Sequence, residues 1–200
     1  MGADARRRWL WIERALIGTG VACFVWCGVV SVQATRYQSQ QRAALEQLDL
    51  TEHPDVNPPS VLPPGSLIGS LDIPRLGLSA VIAESDEDAT LRVAIGHLSD
   101  TPLPWHDGNS ALAGHRDTFF RPLQQIRVGD ELHVSTLHGN FRHQVRETMV
   151  VGPNDVWVLD PTDRPTLTLI TCYPFDYVGK APRRFIVRAE RTSTSLQRSQ

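Results

Sequence analysis

The stretch Ala15–Val32, "ALIGTGVACFVWCGVVSV", carries no charged side chain. No other feature limits the folding options of this chain so tightly. An uncharged run close to the roughly 20 residues that cross a bilayer as a helix must be covered by protein or by lipid. This one is apolar all round, which fits a buried amphipathic core helix poorly. Arg6, Arg7, Arg8 and Arg14 precede it. That excess of positive charge predicts a cytoplasmic N-terminus over 1–14, a membrane span over 15–32 and everything after it on the outside. A cleaved secretion signal is the competing reading. The run is long for a signal core, and no clean A-x-A cleavage pattern follows it. An uncleaved, single-pass signal-anchor is therefore expected, with the lipid bilayer as its partner.

The next segment, 33–65, reads as a stalk and a linker. "RYQSQQRAALEQLDL", Arg36–Leu50, is polar and rich in helix formers, so it predicts a helical stalk. "HPDVNPPSVLPPG", His53–Gly65, contains five prolines and predicts an extended spacer. The folded domain is expected over 66–191, followed by a disordered tail over 192–200.

Inside that domain the apolar pattern is mostly of period two. "SLIGSLDI" and "LSAVIAES" flank the turn "PRLG" and predict a hairpin. "DELHVSTL" and "FRHQVRETMVV" do the same around "HGN". "NSALAGHR", "VWVL", "TLTLITC" and "RRFIVRAE" add four more strands. Helical spacing in "EDATLRVAIGHL" and in "TFFRPLQQI", the latter with Asp117 as its cap, predicts two short helices. About eight short strands and few helices point to an all-β fold, a closed or nearly closed eight-stranded barrel with helices at its rim.

The formal net charge of −2 offers no strongly basic surface for nucleic acid. The seven histidines fall into no HExxH or Cys/His spacing, and no Walker or G-x-G-x-x-G sequence is present. No metal and no cofactor are expected. Two of the three cysteines, Cys23 and Cys27, lie in the apolar run. Cys172 is alone in the rest of the chain, which leaves it either inert core or a reactive thiol.

A nucleophilic thiol needs a neighbour that favours the thiolate, a proton donor for the leaving group and a positive charge for the oxyanion. Cys172 closes "TLTLITC", His115 closes "NSALAGHR", and Arg184 opens "RRFIVRA". Alternation puts Arg183 with Phe185 and Val187 on one face, and Arg184 with Ile186 and Arg188 on the other. The first face is more apolar and is expected in the core, which frees Arg184 to line a groove. Taken one at a time, each residue has a bland reading as core or solvated surface.

At these residues the chain resembles a known family. "GNSALAGHRDTFFRPLQQIRVGDELHV" and "TLTLITCYPFDYVGKAPRRFIVRA" are similar to the two core blocks of sortases, which are membrane-anchored cysteine transpeptidases. The resemblance covers about residues 66 to 190, and "TCYPF" is most like class D sortases. It implies an eight-stranded barrel with Cys172 as nucleophile, His115 as general acid and base, and Arg184 holding substrate and oxyanion. Thr171, Tyr173 and Arg183, beside these positions, are expected to touch substrate. The resemblance further implies cleavage of an LPxTG-like sorting motif through a thioacyl-enzyme. The partners it implies are proteins bearing that motif and an amine acceptor such as a cell-wall precursor or a pilin lysine.

Two rival readings come from other classes. An L,D-transpeptidase also places histidine before cysteine, but it carries an S-H-G-C-type block where this chain has "LIT" before Cys172. A membrane-tethered, non-enzymatic β module predicts a buried, unreactive Cys172.

Overall fold

The computed structural model describes residues 3–48 and 60–195. The expectations for residues 1–2, for 49–59 of the stalk and linker, and for the end of the tail at 196–200 lie outside the described residues. The chain divides into two compact units, Met1–Tyr37 and Gln38–Gln200. The first is dominated by α1, a helix over Ala3–Leu48 that takes in both the apolar run and most of the predicted stalk. Within it, Trp11–Gln41 is long and apolar enough to cross a membrane. Its large side chains Trp11, Phe24 and Trp26 are exposed.

In the second unit the period-two segments become strands because each can bury one face. They are β1 (Leu67–Ile73), β2 (Leu78–Glu84), β3 (Ile95–His97), β4 (Asn109–Ala113), β5 (Glu131–Thr136), β6 (Gly139–Val151), β7 (Thr166–Tyr173) and β8 (Arg183–Ser195). They close a barrel in the order β1-β2-β3-β4-β7-β8-β6-β5. Every strand thereby has a neighbour on each side over part of its length. The interior is filled by Leu71, Ile73, Leu112, Phe120, Leu132, Val134, Leu167, Leu169 and Val187, all fully buried. A smaller cluster of Val151, Val158 and Ile186 lies apart from that core, with Met149, Leu159 and Ile170 packed on it.

The strand count of eight is as expected, but its membership is not. "VWVL" is a 3-10 helix, Val156–Leu159, with only Val158 buried. The segment before it is folded back on itself, the Asp155 carboxylate accepting from the Gly152 N–H at 2.6 Å. The missing strand is supplied by Ile95–His97, which was expected to continue a helix. The helix α2 stops after one turn, Asp88–Leu91. β3 then pairs in parallel with β2, Ile82 opposite Ile95. Gly96 makes this approach possible: a Cβ there would sit 2.4 Å from the Ser85 carbonyl oxygen. The second rim helix is also a 3-10 turn, Arg121–Gln125, with Phe120 and not Asp117 at its N-cap. β8 runs on to Ser195, because the long partner β6 supplies a ladder as far as Asn140 opposite Ser195. Residues 192–195 are therefore strand, not tail.

Candidate active site

β7 lies between β4 and β8, and this neighbourhood brings the three candidate residues together. β8 runs antiparallel to β7, with Arg184 directly opposite Cys172 and Ile186 opposite Ile170. Leu167, Leu169, Val187 and Ala189 point into the core, so the alternate positions Ile170, Cys172, Arg184 and Ile186 share the outer face. β4 runs parallel to β7, with Ala113 beside Ile170. The Gly114 N–H donates to the Ile170 carbonyl at 3.2 Å, so the pairing continues one residue past the end of β4, and His115 follows directly.

The sequence fixes His115 locally through its neighbours. A Cβ on Gly114 would lie 2.7 Å from the ring of Phe120, which is fully buried. Only glycine lets the chain pass over that ring. The Phe120 N–H then donates to the His115 carbonyl at 3.1 Å and closes the turn. Thr171 donates its hydroxyl to the Gly114 carbonyl at 2.7 Å.

Cys172, His115 and Arg184 are all half-buried. Among the described residues the side chains of Cys172 and His115 have no hydrogen-bond partner, so both keep their bonding capacity for a substrate. The Arg184 guanidinium donates to the carbonyls of Ala181 at 3.4 Å and Arg183 at 3.1 Å. Among the described residues it has no carboxylate partner, and its positive charge stands uncompensated beside the thiol.

The three residues expected to touch substrate are placed differently. Thr171 is 2% exposed and its hydroxyl is spent on Gly114, so it holds the site together and faces no groove. Tyr173 turns its ring onto the barrel end, 6.1 Å from Phe175 and 6.3 Å from Phe185 between centroids. It is a half-buried packing residue. Arg183 is exposed and remains open to solvent.

Several residues important to this region carry no signal that single-position reading detects. Arg116, the residue after His115, sends its guanidinium to the carbonyls of Pro174 at 3.0 Å, Tyr177 at 2.6 Å and Gly179 at 3.0 Å. Arg121 adds bonds to the Phe175 carbonyl at 3.0 Å and the Asp176 carboxylate at 2.8 Å. Together they clamp the loop that links Cys172 to Arg184. On the other flank, Asn109 donates to the carbonyls of Val158 at 2.9 Å and Asp160 at 3.1 Å. Its own oxygen accepts from Thr168 at 2.6 Å. The 3-10 helix Val156–Leu159 is thereby held against the outer face, next to the apolar pair Ile170 and Ile186. The outer face of β7 and β8 thus carries the thiol and the guanidinium opposite one another, with apolar surface along it and the turn that bears His115 at the end of neighbouring β4. This region has the groups that addition to a carbonyl needs: a nucleophile, a proton carrier and a fixed positive charge.

Among the described residues no group of three or more His, Cys, Asp or Glu is placed to hold a metal ion. Elsewhere in the barrel, His143 is 2% exposed and its Nδ1 has no partner. Burial, with the nearby Arg191 charge, depresses its pKa to about 3.

Comparison with known proteins bears on the fold and the family. The family model described as the sortase domain matches residues 71–192. Sortase D of Bacillus subtilis is 34% identical over 130 residues, covering 64% of this chain and 66% of that protein. Sortase A of Listeria monocytogenes is 26% identical over 133 residues, covering 64% of this chain and 58% of that one. The chain thus spans less than two thirds of the length of these curated relatives. A solved Clostridium perfringens Sortase D5 transpeptidase superposes with a TM-score of 0.64 at 28% identity, over 80% of this chain and 98% of that one. With its closed eight-stranded barrel and a sortase domain over 71–192, this chain belongs to the sortase family and is most like class D.

Proposed function

We propose that this protein is a membrane-anchored cysteine transpeptidase that cleaves an LPxTG-like sorting motif and passes the acyl fragment to an amine. The observation that supports this reading is the cross-strand pair of Cys172 and Arg184, with β4, which leads into Gly114-His115, on the other side of β7. In the proposed reaction the Cys172 sulfur attacks the carbonyl carbon of the motif's threonine. Negative charge then develops on the carbonyl oxygen, where the Arg184 guanidinium stabilises it. His115 gives a proton to the departing amine, leaving a thioester on Cys172. An incoming amine attacks that thioester and loses its proton to His115. The amide forms, the carbon–sulfur bond breaks and the thiol is restored. α1 provides the anchor, with the barrel outside the membrane.

The test is product analysis on a dye-labelled Leu-Pro-X-Thr-Gly peptide pool with an added glycine amide. The expected result is an amide joining the threonine of the peptide to the added amine, absent with Cys172→Ala. Cleavage with only the free acid as product, whatever the amine concentration, would make the protein a peptidase instead.

A further inference from the structure

The chain contains a single lysine, Lys180; every other Lys or Arg position is arginine. That one side-chain amine sits in the loop between Cys172 and Arg184, and it is exposed. The carbonyls of the residues on either side of it, Gly179 and Ala181, are both held from the site. The Gly179 carbonyl accepts from Arg116, the residue after His115, at 3.0 Å. The Ala181 carbonyl accepts from Arg184, the residue opposite Cys172, at 3.4 Å. The Lys180 backbone is therefore tied to the two chain segments that flank the thiol, while its flexible four-carbon stem is unconfined. An arginine at this position could not be acylated under these conditions; a lysine can.

We infer that Lys180 is an internal acyl acceptor and the site of a self-modification. This rests on the proposed thioester at Cys172. The ε-ammonium gives one proton to solvent, and its nitrogen attacks the thioester carbonyl carbon. The carbon–nitrogen bond forms as the carbon–sulfur bond breaks. The nitrogen loses its second proton to His115, and the Cys172 sulfur leaves as thiolate and is reprotonated from His115. The product is an isopeptide that joins the threonine carbonyl of the sorting-motif fragment to Lys180, with the thiol free again. The ligand class is the peptidyl acyl group already on the enzyme. Tethering gives Lys180 a high effective concentration against dilute external amines. The branch matters when the acceptor is scarce.

The test uses the full chain in detergent and the dye-labelled Leu-Pro-X-Thr-Gly pool with no added amine. Hydroxylamine then strips thioesters and leaves amides. Digestion of the denatured chain with a protease that cuts only after lysine gives a second readout, because an acylated Lys180 is not cut. The expected result is hydroxylamine-resistant dye on an uncut chain. With Lys180→Arg that resistant dye is lost, whereas the hydroxylamine-labile dye still forms. A differently tagged Cys172→Ala chain in the same mixture stays unlabelled, as an internal transfer requires. Labile dye with complete cutting at Lys180 overturns the inference and leaves the Cys172 reading standing. Resistant dye on the Cys172→Ala chain overturns the internal step. The absence of any labile or resistant dye on the wild-type chain overturns both readings.

Discussion

Two glycine-histidine pairs stand at the ends of the neighbouring strands β3 and β4, and their surroundings are opposite. His97 is 1% exposed, with Nδ1 2.8 Å from a Glu84 carboxylate oxygen. Its Nε2 faces the Pro102 carbonyl at 3.1 Å and the Thr101 hydroxyl at 3.2 Å. Both ring nitrogens are spent, and Glu84 is itself buried. His115 is half-buried, and among the described residues its ring has no hydrogen-bond partner. Each glycine is there for close approach, Gly96 to the Ser85 carbonyl and Gly114 to the Phe120 ring. The motif is the same, and the difference lies in the bonding capacity left over. A saturated, buried imidazole ties strands together; an unsaturated one at an open strand end can carry protons.

The largest expected effect tests the open member of the pair. His115→Ala should lower turnover by about 10²- to 10⁴-fold, the usual range for a general acid or base. Its melting temperature should stay near wild type, because no internal bond is lost. The matched variant, His97→Ala, should do the reverse. It leaves the Glu84 carboxylate buried without its partner, at a cost of about 3 to 5 kcal/mol of stability. Residual activity per folded molecule should stay high. If His97→Ala stays stable while activity collapses, or His115→Ala unfolds, the contrast is broken.

The contrast between adjacent arginines sharpens the same point. Arg184 shares the outer face with Cys172, whereas Arg183 is on the face of Phe185. Arg184→Ala should cost about 3 to 4 kcal/mol of transition-state stabilisation. Arg184→Lys should recover little of it, because lysine lacks the planar fork. Arg183→Ala should keep most of the turnover. A folded but inactive Arg183→Ala beside an active Arg184→Ala would reverse the assignment of the two faces.

His143 is a third case, buried but short of a partner. Its pKa in the fold is about 3 against an ordinary 6.5. Between those values the unfolded chain binds a proton that the folded chain refuses, so stability falls as the pH drops through the window. The expected slope is about 1.4 kcal/mol per pH unit from this group. His143→Gln should flatten that part of the acid limb in denaturant titrations at several pH values. An unchanged slope would show that His143 already takes up its proton in the fold.

Much of this was legible in the sequence, for reasons that also explain the failures. β5 and the first half of β6 alternate cleanly, with one face in the core, whereas β2 and β7 are apolar, β-branched runs bounded by glycine or proline and buried largely on both faces. Alternation along β8 places Arg184 on the outer face. β3 was missed because three residues are too few to show a period, and Leu91, Ala94 and Ile95 happen to fall at helical spacing. "VWVL" has strand composition, yet the barrel holds it outside through Asn109, a long-range contact that local pattern does not contain. Thr171 and Tyr173 flank the thiol in sequence, but alternation turns both away from it. The structure gives both residues packing or hydrogen-bonding partners on the face opposite the thiol. The clamp by Arg116 joins positions far apart in the chain and became visible only once β4 lay beside β7.

The central claim is that Cys172 forms a thioester that His115 and Arg184 make and unmake. The most direct measurement is the intact mass of the full chain after brief exposure to the sorting-peptide pool, with the adduct mapped to a residue. The account predicts a hydroxylamine-labile acyl adduct on Cys172 that is absent in Cys172→Ala and accumulates slowly in His115→Ala. Full turnover by Cys172→Ala, or a hydroxylamine-labile adduct mapped to another residue, would contradict it.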